Sequence, residues 1–427
     1  MRKSLIATAF FTAVLSQAQF TVSVKTPADF KEQDAILYTL NGSKDIIFTQ
    51  EKKNGGVWNF KYPKSYFGMM KIYFPTTNNT VTFISENKNV SIDLETQANK
   101  VKNVIYKDEA NELMSSIQES SQKKEMILPA LSQIKEYYKD NTEFGKALKT
   151  EIASLSDNNT VDATKHPFIS YYNTNYAKFL AAGEEKKVNP AEVVNFMDKS
   201  NDMLESSSLM RPVLVAYLNS GGNTNVSASV DELLKTVNVE TPRGQTVLSE
   251  LIDIFDAYDM TQYKTKYLTL AKDLKCTIND RLASTIKSNA NVEMGAVFPN
   301  YKFVSPTNTS AKSIADVKAD KKVIVFWSST CSHCEKELPQ LLEKYKNMQA
   351  QNIQVITLSL DTDKESYSKR IAAFPWINDS ELKGWNSSYS ETYNVHATPT
   401  YFILDANNKI ISKPEHVGDV LTYLKLK

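Results

Sequence analysis

Hydrophobic and polar residues alternate with three different rhythms along the chain. From about residue 19 to 102 the period is two. Ile36, Tyr38 and Leu40, then Ile72 and Phe74, Val81 and Phe83, and Val90, Ile92 and Leu94 alternate with polar neighbours, the pattern of half-buried strands. Asn41-Gly42, Asn54-Gly55-Gly56 and Asn78-Asn79 supply turn residues between them. The expected structure is a small antiparallel sandwich or barrel. Over 103–290 the spacing becomes helical. Ile127, Leu131, Ile134 and Tyr138 form one stripe, Phe144, Leu148, Ile152 and Leu155 a second, and Phe168, Tyr172, Tyr176 and Phe179 a third. Leu251, Phe255 and Tyr258 belong to a later helix, and Pro190 after Asn189 marks a helix start. A bundle of about eight helices fits this stretch, with the aromatic stripe as core.

Over 293–427 strand and helix patterns alternate. Val323 to Trp327 is a continuous apolar run, as in a strand buried on both faces. A helix from Cys331 to about Gln349, a strand from Ile353 to Ser359, and a helix from about Lys364 to Ala373 follow. Strand Thr400 to Leu404, the turn Asp405 to Asn408, strand Lys409 to Ser412 and helix Gly418 to Lys425 complete the order. Such alternation implies a parallel core sheet with an antiparallel hairpin at its edge. The expected fold is therefore multidomain: an all-β sandwich, a central α-helical bundle and a C-terminal α/β domain.

The 427 residues are too many for one ordinary core. Fifty basic and 49 acidic residues leave a net charge of +1, with no polybasic block. That argues against nucleic acid or an anionic membrane surface as partner. Arg2 and Lys3 precede an apolar stretch from Leu5 to Leu15 and the small residues Ser16 and Ala18. Residues 1–18 thus read as a cleavable secretory signal, since about a dozen apolar residues cannot span a bilayer. No cysteine follows the stretch, so no lipid anchor is expected there, and no other segment is long enough to span a membrane. The expected location is periplasmic or otherwise exported.

Export changes the meaning of the three cysteines. A chain stapled by disulfides carries more of them at varied spacings. Here Cys276 stands alone, an inert thiol off its helix stripe, and Cys331-Ser332-His333-Cys334 forms a CxxC. That motif sits where the buried strand enters a helix, whose unpaired N–H groups and dipole favour a thiolate. Disulfide exchange needs an attacking thiolate and a second thiol that resolves the mixed disulfide. Cys331, at the helix end, is the candidate attacker and Cys334, one turn in, the resolving thiol. Zinc needs four ligands, and no second CxxC or HxxxH accompanies the first, so no metal or other cofactor is implied.

The segment from Val323 through Cys331-Ser-His-Cys334 to Glu337-Leu-Pro339 resembles the thioredoxin fold, in particular the exported TlpA/ResA-like thiol-disulfide oxidoreductases. The resemblance covers roughly residues 293–427. Thr398-Pro399-Thr400 matches the family's cis-proline segment, which by that likeness faces the dithiol and pairs with substrate backbone. Glu337 matches the family's active-site glutamate and implies a proton shuttle for Cys334. Pro299-Asn300-Tyr301 resembles the family's opening segment. Ala373 to Ile377 and Leu382 to Trp385 resemble the extra segment of this branch. The three-part layout resembles bacterial exported multidomain members. Thioredoxin itself is less similar, since its buried aspartate falls on Val325. Thr330 stands where the family usually has Trp, and His333 where its reductants usually have Pro. A CxHC centre resembles the oxidant DsbA, so His333 is a candidate for tuning the redox potential and the direction of electron flow stays open. The resemblance implies protein substrates with cysteines or disulfides, and a redox donor or acceptor protein. A cell-envelope binding protein with a merely structural thioredoxin-like domain is the alternative. A thiol peroxidase lacks support, because Pro-x-x-x-Thr/Ser-x-x-Cys is absent before Cys331.

Overall fold

The computed structural model describes residues 19–156, 161–181, 188–220 and 226–426. The expected signal segment, 1–18, lies outside them. Two compact units make up the chain: Met1–Leu40 with Asp45–Gly183, and Asn41–Lys44 with Glu184–Lys427.

The first unit opens with eight strands, β1 (Phe20–Lys25), β2 (Asp34–Asn41), β3 (Lys44–Lys52), β4 (Val57–Tyr62), β5 (Phe67–Phe74), β6 (Asn79–Glu86), β7 (Val90–Gln97) and β8 (Lys100–Tyr106). They form two four-stranded sheets, ordered β4-β1-β7-β8 and β3-β2-β5-β6. One core serves both: Val22 and Val24, Trp58 and Phe60, Ile72 and Phe74, and Ile92 meet between the sheets. Two expectations need correction. The pairing is not wholly antiparallel, because β1 runs parallel to β7. In β2 the phase is reversed: Ala35 and Leu37 are buried, while Ile36 and Tyr38 lie half-buried on the other face. A one-residue slip in a period-two pattern exchanges the two faces.

Among the described residues of this unit three helices follow, α1 (Glu109–Lys135), α2 (Glu143–Ser156) and α3 (Pro167–Phe179). Asp108 caps α1 by accepting the Asn111 N–H. Only Ala110, Asn111 and Met114 of α1 are buried. Ile127, Ile134 and Tyr138 of the first helical stripe are 43%, 40% and 45% exposed, and Leu131 is half-buried. In α3 Phe168 and Phe179 are buried and Tyr172 and Tyr176 half-buried.

The second unit continues with α4 (Pro190–Lys199), α5 (Met203–Ser206), α6 (Met210–Ser220), α7 (Val226–Val237), α8 (Pro242–Ala257), α9 (Thr261–Asp273) and α10 (Asp280–Ala290). Ten helical segments therefore precede residue 291 among the described residues, rather than about eight. Asn189 caps α4 with Pro190 in its first turn. Helix α8 is the buried centre, with Val247, Leu248, Leu251, Ile252 and Phe255 at most 0% exposed. Its polar positions Glu250 and Asp253 are also buried, and both bind Arg281 of α10, at 3.0 and 2.6 Å.

The remaining elements are β9 (Lys321–Trp327), α11 (Ser332–Ala350), β10 (Ile353–Ser359), α12 (Lys364–Ile371), β11 (Ile377–Ser380), α13 (Ser388–Thr392), β12 (Thr400–Asp405), β13 (Ile410–Ser412) and α14 (Val417–Tyr423). The sheet order is β11-β10-β9-β12-β13. Strands β9, β10 and β11 are parallel, and β12 runs antiparallel to both β9 and β13. Successive β9 side chains feed opposite layers. Val323, Val325 and Trp327 pack with Leu338, Leu341 and Tyr345 of α11. Ile324 and Phe326 pack with Phe298, Tyr301, Tyr389 and Tyr393. Central β9 thus fixes the strand end from which the CxxC departs. Among the described residues no helix is long and apolar enough to cross a membrane.

Candidate active site

Strand β9 ends at Trp327, which is fully buried, and the chain turns through Ser328, Ser329 and Thr330 into α11. Buried Asp361, just past β10, holds that turn. Its Oδ1 accepts from Ser328 Oγ (2.9 Å), Ser329 N (2.9 Å) and Ser329 Oγ (2.7 Å), and its Oδ2 from Ser359 Oγ (2.5 Å). Sequence reasoning missed Asp361. The available signal was its place beyond the C-terminal end of a parallel strand, where open α/β sheets build their sites.

Cys331 is the N-cap residue of α11, in extended conformation. Its half-buried Sγ accepts the Cys334 N–H at 3.1 Å and lies 3.2 Å from the Thr398 carbonyl, to which the thiol donates. Thr398-Pro399 is a cis peptide, as the resemblance to the family's cis-proline segment implied. The cysteine pair and the cis-proline loop, expected to face each other, are brought together. Cys334 is 1% exposed and unbridged. Burial, reinforced by the hydrogen bond with Cys331, pushes its thiol up to about 12. The two thiols therefore differ in access, Cys331 outside and Cys334 within.

Glu337 lies one turn further along α11 with its side chain 13% exposed. Its Oε2 accepts from Tyr401 Oη (3.0 Å) and from the Val417 N–H (2.8 Å), and its Oε1 faces the exposed His416 ring at 3.4 Å. The Tyr401 phenol is raised far above its usual range by burial and then by the charge of Glu337, so it stays a donor. Glu337 thus ties α11 to β12 and to the first turn of α14. His333 is exposed, and its ring makes no hydrogen bond or ion pair among the described residues. Pro339 is accommodated inside α11. Cys276, in the α9–α10 connection, accepts from Gln245 Nε2 at 3.3 Å. Among the described residues no group of three His, Cys, Asp or Glu side chains could hold a metal ion.

A buried strand, a CxxC capping the following helix and a cis-proline facing the first cysteine define a thioredoxin-like domain. Residues 320–410 match the thioredoxin-like family model. ResA of Bacillus subtilis, a thiol-disulfide oxidoreductase, is 22% identical over 125 residues, which cover 28% of this chain and 66% of the relative. ResA of Bacillus thuringiensis is 29% identical over 128 residues, covering 29% of this chain and 69% of the relative. A solved domain of a possible thiol-disulfide isomerase from Cytophaga hutchinsonii is 28% identical, with a TM-score of 0.29, and covers 31% of this chain and 92% of that domain. The likeness to ResA thus covers under a third of this chain and about two thirds of the curated relatives.

Proposed function

We propose that the protein is an exported thiol-disulfide oxidoreductase that exchanges disulfides with cysteine-containing proteins through Cys331 and Cys334. The observation that carries this reading is the placement of Cys331 Sγ between the Cys334 N–H and the Thr398 carbonyl, beside cis-Pro399. The helix-terminal N–H points to where negative charge resides on an attacking sulfur. Export rests on the signal-like residues 1–18.

In the reducing direction the Cys331 thiolate attacks a substrate disulfide. One S–S bond breaks, a substrate thiolate leaves, and a mixed disulfide forms. Cys334 then loses its proton and attacks Cys331 Sγ, releasing the second substrate thiol and leaving the Cys331–Cys334 disulfide. The reverse sequence oxidises a substrate dithiol. A redox donor or acceptor protein resets the pair. With Cys334 pushed up to about 12, its proton needs an acceptor at neutral pH, and Glu337 is assigned that task. Thr398 and Pro399, both half-buried at the rim, are assigned to substrate backbone. His333, exposed between the two cysteines, is assigned to tuning the potential.

Insulin reduction with dithiothreitol as donor tests the reading. The wild-type protein is expected to accelerate it, and Cys331→Ser to fall to the uncatalysed rate. Equal rates for the two proteins would remove the proposed activity.

A further inference from the structure

The segment that leads into cis-Pro399 is fastened to the helical part of the same unit. Asp256, in the last turn of α8, accepts from Asn394 Nδ2 and lies 3.4 Å from His396 Nε2. The same ring nitrogen is 3.1 Å from Asn394 Oδ1, which closes a three-residue cluster. Two further bonds follow the same seam: Ser284 Oγ of α10 donates to Glu391 (2.7 Å), and Asn291 Nδ2 donates to the Thr392 carbonyl (3.0 Å). His396 stands two residues before Thr398, whose carbonyl touches Cys331.

A carboxylate at a helix C-terminus meets the negative end of the helix dipole and is unfavourable there without partners. Burial adds to that cost. Asp256 is nonetheless held down at about 2, because the hydrogen bond with His396 and the charge of Lys264, which donates at 2.5 Å, outweigh the burial. The partners of Asp256 on the other side are loop residues that sequence reasoning left without a role, His396 among them. Asn394 has φ of +50°, a left-handed conformation that asparagine tolerates, and its side chain donates to Asp256.

We propose that Asp256 is a positioning residue for disulfide exchange: through Asn394 and His396 it fixes the cis-Pro399 loop against which a protein substrate must align. The assignment rests on the proposed function and extends it by making the helical region part of the substrate platform. A small disulfide needs only access to Cys331 Sγ, whereas a protein disulfide must also fit the loop. The two kinds of substrate therefore separate platform from sulfur chemistry.

The test compares full-length wild type, Asp256→Ala, Asn394→Ala and the double variant in exchange with insulin and with 5,5′-dithiobis(2-nitrobenzoate). Each single variant is expected to lose about tenfold on insulin and less than about twofold on the small disulfide. The double variant should lose less than the product of the two single losses, since Asp256 and Asn394 belong to one cluster with His396. Should Asp256→Ala fail to fold, Asn394→Ala and His396→Ala, which alter the loop side alone, decide by the same ratio. Unchanged insulin rates, or equal losses on both disulfides, overturn the assignment. A wild-type protein inert toward insulin overturns the proposed function itself, a signature distinct from activity that wild type and variants share.

Discussion

Cys334→Ser is expected to accumulate as a mixed disulfide with protein substrates through Cys331. Cys334 is 1% exposed and its N–H points at Cys331 Sγ, so its own sulfur is placed for attack on a bond formed there. Serine keeps the size and the N–H contact but cannot displace sulfur. The variant performs the first exchange and stops. Trapped species should migrate as adducts on non-reducing gels, collapse on reduction, and be absent from the Cys331→Ser/Cys334→Ser double variant. The half-buried Cys276, held by Gln245, should contribute none. Adducts that persist without Cys331, or no adducts from a protein whose wild type exchanges disulfides, would contradict the division of labour between the two thiols.

Glu337 is expected to separate into two roles when replaced in two ways. Glutamine retains an oxygen that can accept from Tyr401 Oη and the Val417 N–H, both of which now meet Oε2. It removes only the proton acceptor. General acid–base help is worth roughly 10²–10⁴-fold where it is fully used. For an assisting carboxylate already shared between two donors, Glu337→Gln should slow the resolving step on the order of tenfold at neutral pH. The loss should shrink as the pH rises toward the range where Cys334, pushed up to about 12, ionises unaided. Alanine leaves the buried Tyr401 hydroxyl and the helix-terminal N–H without their acceptor. A destabilisation of about 1–3 kcal/mol is expected for Glu337→Ala and little for Glu337→Gln. Single-turnover release of substrate from the mixed disulfide across pH, beside chemical denaturation, reads both. A pH-independent rate equal to wild type in Glu337→Gln would leave Glu337 as scaffold only.

What could be read from the sequence followed local, repetitive signals. The apolar run Val323 to Trp327 and the cysteine at the head of the following helix placed β9 and α11 within a residue or two. Strand β10 was readable for the same reason. Strand β11 was not, because Ile377-Asn378-Asp379-Ser380 reads as a polar loop. Its polar side chains are buried only because distant partners meet them. Asp379 accepts the Val304 and Ser305 N–H groups, and Asn378 binds Thr357 and the Trp376 carbonyl. The parallel β1–β7 pair joins strands far apart in sequence, which no alternation pattern encodes. The stripe of α1 has helical spacing and forms a helix, yet periodicity cannot say whether another element covers it. Site residues divided in the same way. Cys331 and Cys334 stand out by type and spacing, whereas Pro399 was singled out through the resemblance to the family's cis-proline segment. Asp361 was marked only by its place just past the end of β10, and the partners of Asp361 and Asp256 are brought close by the fold alone.

The central claim is that Cys331 and Cys334 form one reversible redox couple, and equilibrium titration against glutathione, with the thiols mapped by alkylation, tests it most directly. A single two-electron transition is expected, confined to Cys331 and Cys334, with Cys276 a free thiol throughout. In His333→Pro the midpoint should fall by several tens of millivolts, where about 30 mV corresponds to roughly 1.4 kcal/mol. A midpoint unmoved by that change would make His333 a bystander and leave the couple intact. If instead no Cys331–Cys334 disulfide forms at any ratio of oxidised to reduced glutathione, the dithiol is not a redox centre and the account fails.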